Sequence, residues 1–306
     1  MACILAKRGR GNNTLPKATH LATVIHMLGI IDTGGGMRAI FQSGVFDWAL
    51  EHHLSFERAY GVSAGTANIA SFLAGQKGRN IPFYTVYNQR WRYVSLRNLL
   101  LKGSALDLHY VYGTISNHDG ENPLDYPALM KSPTTFTMVA TNAKTAQAHY
   151  FTKDDLSQDH YEPFGASSCL PVVCRPFPVK GVPYFDGGVV DPIPVQKALD
   201  DGCDKLVLVI SRPKDEIRQI GTDGRYAGIL RLQGFPKVAD ALLRRSETYN
   251  RSLALARKLE TEGKALIIAP DDISGIKTME KDKKKLMALY DEGRRKAQAL
   301  LSFLEK

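Results

Sequence analysis

The sequence predicts an α/β protein, with a doubly wound, mainly parallel sheet flanked by helices and a helical C-terminal part. Three observations carry that expectation. Short β-like runs such as VIHMLGII (24–31) and KLVLVI (205–210) alternate with helix-prone segments, the order a parallel sheet requires. Several runs end in glycine-rich turns, DTGGG, GVSAG and FDGG, where the backbone can change direction sharply. The chain has 306 residues of which 44% are apolar, enough for a substantial core.

The elements follow in order. VIHMLGII reads as a buried strand ended by DTGGG. Within residues 38–53, Ile40, Phe41, Val45, Trp48 and Ala49 fall on one helical stripe. RAYGV (58–62) is a short strand, and TANIASFLAG (66–75) is the helix after the serine of GVSAG. Residues 81–130 read as irregular, with aromatics at Phe83, Tyr84, Tyr87, Trp91, Tyr93, Tyr110, Tyr112 and Tyr126. Such bulk either lines an apolar pocket or packs a cap. TTFTMVATN (134–142) and QAHYF (147–151) are strands, and PFPVKGVPYFDGG (176–188) is a hairpin turning at Lys180-Gly181. PVQKALDDG (194–202) is a helix leading into KLVLVI, and from about residue 237 the chain is helical except for ALIIAP (265–270).

The formal charge is +9. Residues 1–20 carry Lys7, Arg8, Arg10 and Lys17 without an acid and read as a loosely ordered basic leader, too short of apolar residues for a secretory signal. Residues 277–306 hold nine Lys/Arg against five Asp/Glu, which suits a solvated helix face or peripheral contact with an anionic membrane. No aromatic-plus-basic strip or zinc-finger spacing points to nucleic acid. No apolar run approaches a membrane span, so the expected location is cytoplasmic, at most peripheral at the membrane. The cysteines Cys3, Cys169, Cys174 and Cys203 form no CxxC pair and no metal-ligand spacing, which implies reduced thiols and no metal.

The chemistry gathers at Gly61-Val62-Ser63-Ala64-Gly65. A G-x-S-x-G turn between strand and helix holds a serine out on a backbone too tight for neighbouring side chains. The helix amides behind it favour developing negative charge. By chance, this pattern arises about 0.1 times in a chain of this glycine and serine content. Two more features strengthen it. Gly34-Gly35-Gly36, between a buried strand and a helix, can direct bare amides at an oxyanion. It lacks the Gly-Lys-Ser/Thr ending of a nucleotide loop and the spacing of a dinucleotide fingerprint. Asp186 in FDGG is a carboxylate beside two glycines, able to approach another loop.

These motifs resemble those of the patatin-like lipid acyl hydrolases, kin of the calcium-independent phospholipases. The resemblance runs from about residue 24 to 212. It rests on Gly34-Gly35-Gly36-Met37-Arg38, on the Ser63 elbow and on Asp186-Gly187-Gly188, with GASSCLPVV and VVDPIPV as flanks. The chain as a whole resembles bacterial patatin-like proteins with a helical C-terminal extension. Ala39 stands where the family commonly has glycine. The resemblance implies a serine esterase cleaving lipid acyl esters, of phospholipase A or lysophospholipase type. Ser63 is then the nucleophile, Asp186 the general base, and the Gly34, Gly35 and Gly36 amides the oxyanion hole, with no cofactor. Arg38 is a possible anion contact or a structural ion pair. Acyl transfer at the same site and a non-catalytic lipid- or anion-binding module are the alternatives. Asp191 and His149 are rival acid–base groups, with a turn or packing as their ordinary roles. The expected division is the leader 1–20, a catalytic unit 21–212, and a mainly helical region 213–306 packed on it.

Overall fold

The computed structural model describes residues 27–305, so the basic leader, Cys3 and the first residues of the opening strand lie outside the described residues. Eight strands form one sheet: β1 (Leu28–Asp32), β2 (Arg58–Val62), β3 (Thr135–Asn142), β4 (Ala148–Phe151), β5 (Phe177–Val179), β6 (Val182–Asp186), β7 (Lys205–Val209) and β8 (Ala265–Ile268). Five of them, in the order β3-β2-β1-β7-β8, pair in parallel. The β3 side is finished by antiparallel β4 and the β5–β6 hairpin, which turns at Lys180 and Gly181, both at positive φ. Covered on both faces, the central strands read as unbroken apolar runs, and every residue of β7 is buried.

The chain runs from β1 outward to β2 and β3, then returns to the other side of β1 with β7. Strand order therefore reverses at β1. In an open parallel sheet the crevice beyond the carboxyl ends at such a point is where ligand sites form. The loops after β1, β2 and β7 all open there.

Helix α1 (Ile40–Glu51) follows a 3-10 turn at Gly36–Ala39, and α2 (Ala64–Leu73) follows Ser63. The aromatic stretch read as irregular contains short helices, Ile81–Thr85, Leu96–Lys102 and Tyr126–Lys131, each too brief to show a sequence period. The helix Asp223–Leu232 also goes unmarked in the sequence, since its two glycines lower helix propensity.

The C-terminal part does more than flank the sheet. It supplies β8, paired in parallel with β7. Its long helix Pro236–Thr261 buries Val238, Leu242, Tyr249, Leu253 and Ala256. The helix Lys283–Lys296 crosses α1 at backbone contact. A Cβ added to Gly44 would lie 2.1 Å from the Tyr290 carbonyl oxygen, and one on Gly293 2.0 Å from that of Phe41. Beside the crossing, the Tyr290 hydroxyl donates to Asp47 at 2.7 Å.

Candidate active site

The β2–α2 turn holds Ser63 at φ 57° and ψ −132°. A non-glycine residue in that region is strained and persists only where its surroundings enforce it. Here they do. The Ser63 amide donates to the Ser167 hydroxyl at 2.9 Å, and the Thr66 amide donates to the Ser63 carbonyl at 3.0 Å. Both glycines of the elbow are required by close approach. A Cβ on Gly61 would fall 2.6 Å from the Thr66 Cα, and one on Gly65 2.5 Å from the Asp32 carbonyl.

Strand pairing explains how Asp186 reaches this turn from 123 positions away. Val139 of β3 pairs with Val62 on one side and Tyr150 of β4 on the other. The next residue, Ala140, pairs with His149 of β4 and with Asp186 of β6. A residue has one partner per side, so β6 takes up the edge of β3 that β2 has just left. The last residue of β6 thus stands beside the turn that ends β2. Its backbone is fixed on both sides, by its amide to the Cys169 carbonyl at 2.7 Å and by Thr141 Oγ1 donating to its carbonyl at 2.8 Å.

The Asp186 carboxyl is 4% exposed. Oδ1 accepts the Gly188 amide at 2.7 Å, while Oδ2 is buried without a hydrogen bond of ordinary geometry. Burial raises its pKa above the usual carboxylate value. The Ser63 hydroxyl lies close enough to pull against that rise, as do Arg245, the Gly188 amide and Arg218. A nearly made contact of this kind is common when no substrate is bound.

Gly34, Gly35 and Gly36 all have positive φ, at 63°, 130° and 63°. Each faces a different neighbour at a distance no Cβ could share: the Val62 carbonyl, the Ser211 hydroxyl and the Thr278 carbonyl respectively. The loop is therefore clamped between the elbow, the end of β7 and the C-terminal segment. The three amides are not equivalent. Gly34 donates to Asp32 Oδ1 at 2.8 Å and so is already committed, whereas the Gly35 and Gly36 amides make no hydrogen bond among the described residues. Of the three amides expected to face an oxyanion, those of Gly35 and Gly36 are thus the two without a partner among the described residues.

Two clefts meet at Ser63. One is narrow and chiefly apolar, about 760 Å³ with the space open to solvent included, and has Phe83, Tyr84, Tyr93, Leu108, Val111 and Phe164 among its walls. It takes up part of the aromatic stretch read in the sequence. The other encloses about 1640 Å³, part of it open to solvent, and Ser63, Asp186, Gly35 and Gly36 are among its lining residues. Arg38 lines the same cleft with Arg212, Arg218 and Arg245. Arg38 is 8% exposed. It makes no ion pair among the described residues, and burial lowers its pKa to about 10.

The rival groups lie elsewhere. Asp191 accepts the Tyr150 hydroxyl at 2.9 Å, and the exposed His149 packs its ring on Phe151 and Tyr184. Among the described residues no three His, Cys, Asp or Glu side chains gather as a metal set, and Cys169, Cys174 and Cys203 are buried free thiols. Sequence reading missed two supports. Ser167, in the GASSC flank, orients the elbow amide. Asp32, at the end of β1, ties Gly34 to α2 by accepting from Asn68 Nδ2 at 3.0 Å. A charged residue inside a buried strand was the available signal for Asp32.

Three comparisons with known proteins bear on this site. The model of the patatin-like phospholipase family matches residues 33–199, more than half of the chain, and a domain of unknown function (DUF6363) matches residues 235–306. The uncharacterized protein YjjU of Escherichia coli (strain K12) is 27% identical over 191 residues, which cover 61% of this chain and 52% of that protein. The chain thus matches about half the length of that relative. The crystal structure of VipD from Legionella pneumophila superposes with a TM-score of 0.45 at 14% identity, over 90% of this chain and 67% of that one. No described helix is long and apolar enough to cross a membrane. The family match, which takes in the glycine loop, the Ser63 elbow and the Asp-Gly-Gly turn, supports lipid acyl hydrolysis in general, and by it this chain belongs to the patatin-like phospholipase family.

Proposed function

We propose that the protein hydrolyses lipid acyl esters through Ser63 and Asp186. The observation that carries this reading is the meeting of a strained serine elbow with a buried carboxylate whose Oδ2 has no partner. In the reaction, Ser63 Oγ attacks the ester carbonyl while Asp186 takes its proton. The oxygen of the tetrahedral intermediate turns to the Gly35 and Gly36 amides, each such donor contributing about 3–4 kcal/mol in enzymes where this has been measured. Collapse returns the proton to the departing alcohol and leaves the acyl group on Ser63. Water, deprotonated by Asp186, then releases the fatty acid and restores the serine. The apolar cleft would hold the acyl chain, since it runs from Ser63 between aromatic and aliphatic walls.

The test is labelling of the purified protein with a fluorophosphonate probe, together with turnover of a short-chain p-nitrophenyl ester. Wild type is expected to label and turn over, and Ser63→Ala to do neither. Equal labelling of both would end the hydrolase reading.

Membrane contact belongs to the same proposal, through a different surface from the basic C-terminus. The helix Lys283–Lys296 buries Leu286, Leu289 and Tyr290, and its Arg294 and Lys296 are paired with Glu51 and Asp271. The helix Leu96–Lys102 instead exposes Leu96 at 77%, Leu100 at 86% and Leu101 at 70%, with Trp91 at 53% close by. Arg92 and Arg97 intersperse these residues, while Lys102 at the helix end is paired with Asp107. Tyr93, Leu106 and Leu108, on either side of this helix in the chain, line the apolar cleft. Exposed leucines and a tryptophan among cations suit an anionic bilayer.

A further inference from the structure

The arginine chamber carries an inference about which esters the site takes, and it rests on the hydrolase reading. Four guanidinium groups, Arg38, Arg212, Arg218 and Arg245, line one cavity with two carboxylates, Glu216 and Asp223. Asp186, ionised when it acts as the base, is the third carboxylate of the cavity, so a surplus of one positive charge remains. The pairings present are incomplete. Asp223 serves two arginines at long range, Arg218 at 3.8 Å and Arg245 at 3.9 Å, and its Oδ2 makes no hydrogen bond. Arg212 is paired with Glu216. Arg38 has no acid partner among the described residues, and its Nε, like that of Arg245, is buried without a hydrogen-bond acceptor.

Burying a guanidinium away from water is costly unless an anion meets it. Arg38, buried and without an ion pair among the described residues, in a cavity of four guanidiniums and three carboxylates, one of them the proposed base Asp186, marks a site built for an incoming anion. The planar forks of arginine suit tetrahedral oxyanions, each offering two parallel N–H donors. The chamber is also rigidly made. Asn250 of the long helix pins the 211–222 segment by accepting the Arg218 amide at 2.9 Å and donating to its carbonyl at 3.0 Å. The Arg218 guanidinium lies over the Tyr249 ring, 5.6 Å from its centre. Arg245 and the Asn250 and Tyr249 supports lie within the match to the domain of unknown function, and Arg212 and Arg218 lie outside both family matches.

Position supplies the rest. The arginines share their cavity with Ser63 and Asp186, whereas the apolar cleft, which also reaches Ser63, is lined by none of these four. An ester with its carbonyl at Ser63 and its chain in the apolar cleft directs its alcohol portion at the guanidiniums. We infer that this chamber is a subsite for the phosphate of the substrate's alcohol portion, so that the preferred substrate is an acyl ester bearing a terminal phosphate monoester. A phosphate monoester brings only negative charge to the surplus, where a zwitterionic headgroup would bring a cation into the same space.

The experiment compares kcat/KM for 1-acylglycerol 3-phosphate and for the neutral monoacylglycerol with the same chain, in wild type, Arg245→Gln and Arg212→Gln. Wild type is expected to favour the phosphate ester by at least tenfold, and each substitution to cut that ratio by at least fivefold. The ratio is the readout because Arg245 also acts on Asp186. Two variants from different elements guard against one failing to fold. Calorimetry on Ser63→Ala separates this inference from the hydrolase reading, since it measures binding without turnover. The phosphate lipid is expected to bind it at least tenfold more tightly than the neutral lipid or inorganic phosphate. Binding of that order with no turnover of any ester by wild type would keep the subsite and sink the hydrolase. Equal kcat/KM for the two esters, or a ratio unmoved by both substitutions, would overturn the subsite. Inorganic phosphate binding as tightly as the lipid, without ester selectivity, would assign the chamber to free phosphate and overturn it as well.

Discussion

Asp32 accepts the Gly34 amide at 2.8 Å and the Asn68 side chain at 3.0 Å, joining the glycine loop to the helix behind the nucleophile. The carboxyl is wholly buried, and burial pushes its pKa up to about 7 against those hydrogen bonds. The unfolded chain releases this proton near 3.8. Between these values the folded protein binds more protons than the unfolded one, so this group makes stability fall as pH rises through the window. The full swing is up to ~4 kcal/mol. Asp32→Asn is expected to cost stability at every pH, because its amide would face the Asn68 amide, and to abolish this part of the slope. Urea unfolding between pH 4.5 and 8 checks it. Parallel pH curves for variant and wild type would refute the assignment.

Asp186 should govern the acid limb of activity. As the base it must be ionised, and its pKa lies above the ordinary carboxylate value. The limb of kcat/KM on a neutral ester is therefore expected above the range of a free aspartate, with activity lost as pH falls through it. Arg245 lowers this pKa, so Arg245→Gln should move the limb to higher pH. Asp186→Asn should cut kcat by about 10²–10⁴. A limb near pH 4, unmoved by Arg245→Gln, would count against Asp186.

The contrast between these residues explains what the sequence disclosed. Ser63, Asp186 and the glycine loop were legible because local backbone chemistry demands their neighbours: each glycine beside them is fixed by a close approach or a positive φ. The central strands were legible because burial on both faces leaves unbroken apolar runs. The arginine chamber was not. Arg38, Arg212, Arg218 and Arg245 come from three separate stretches of chain, and no period or spacing links them. The role of Gly34 was also hidden, since its commitment to Asp32 depends on where one buried side chain points. Residues 265–268 read as an interruption of helix because strand pairing with β7 is a long-range fact.

Two sets of glycines should respond oppositely to added methyl groups. Gly44 and Gly293 meet carbonyl oxygens of the opposing helix, which cannot move aside as a side chain can. Gly293→Ala is expected to force the crossing apart and lose about 1–3 kcal/mol or more. Gly224, in the helix Asp223–Leu232, would place a Cβ in open space. Gly224→Ala should stabilise by about 0.5–1 kcal/mol through helix propensity. Thermal melts of both variants decide it, and a Gly293→Ala protein as stable as wild type would show that the crossing is looser than described.

The exposed leucines near the apolar cleft set a test of membrane contact that leaves the C-terminal segment intact. Removing residues 277–306 would be a poor test, because Thr278 carries the carbonyl that receives the Met37 amide at 2.8 Å and so props the glycine loop. Truncation would disturb catalysis and membrane contact together. The triple variant Leu96→Ser, Leu100→Ser and Leu101→Ser alters only solvent-facing side chains, while Ser95 still caps the helix by accepting the Asn98 amide at 3.1 Å. Losing three inserted leucines is expected to weaken sedimentation with anionic vesicles by about a thousandfold at full insertion. The ratio of activity on vesicles to activity on a short soluble ester should fall with it. High salt should weaken the wild type further, since Arg92 and Arg97 would then be screened from the lipid phosphates. Undiminished vesicle binding by the triple variant would place any membrane contact on another face of the molecule.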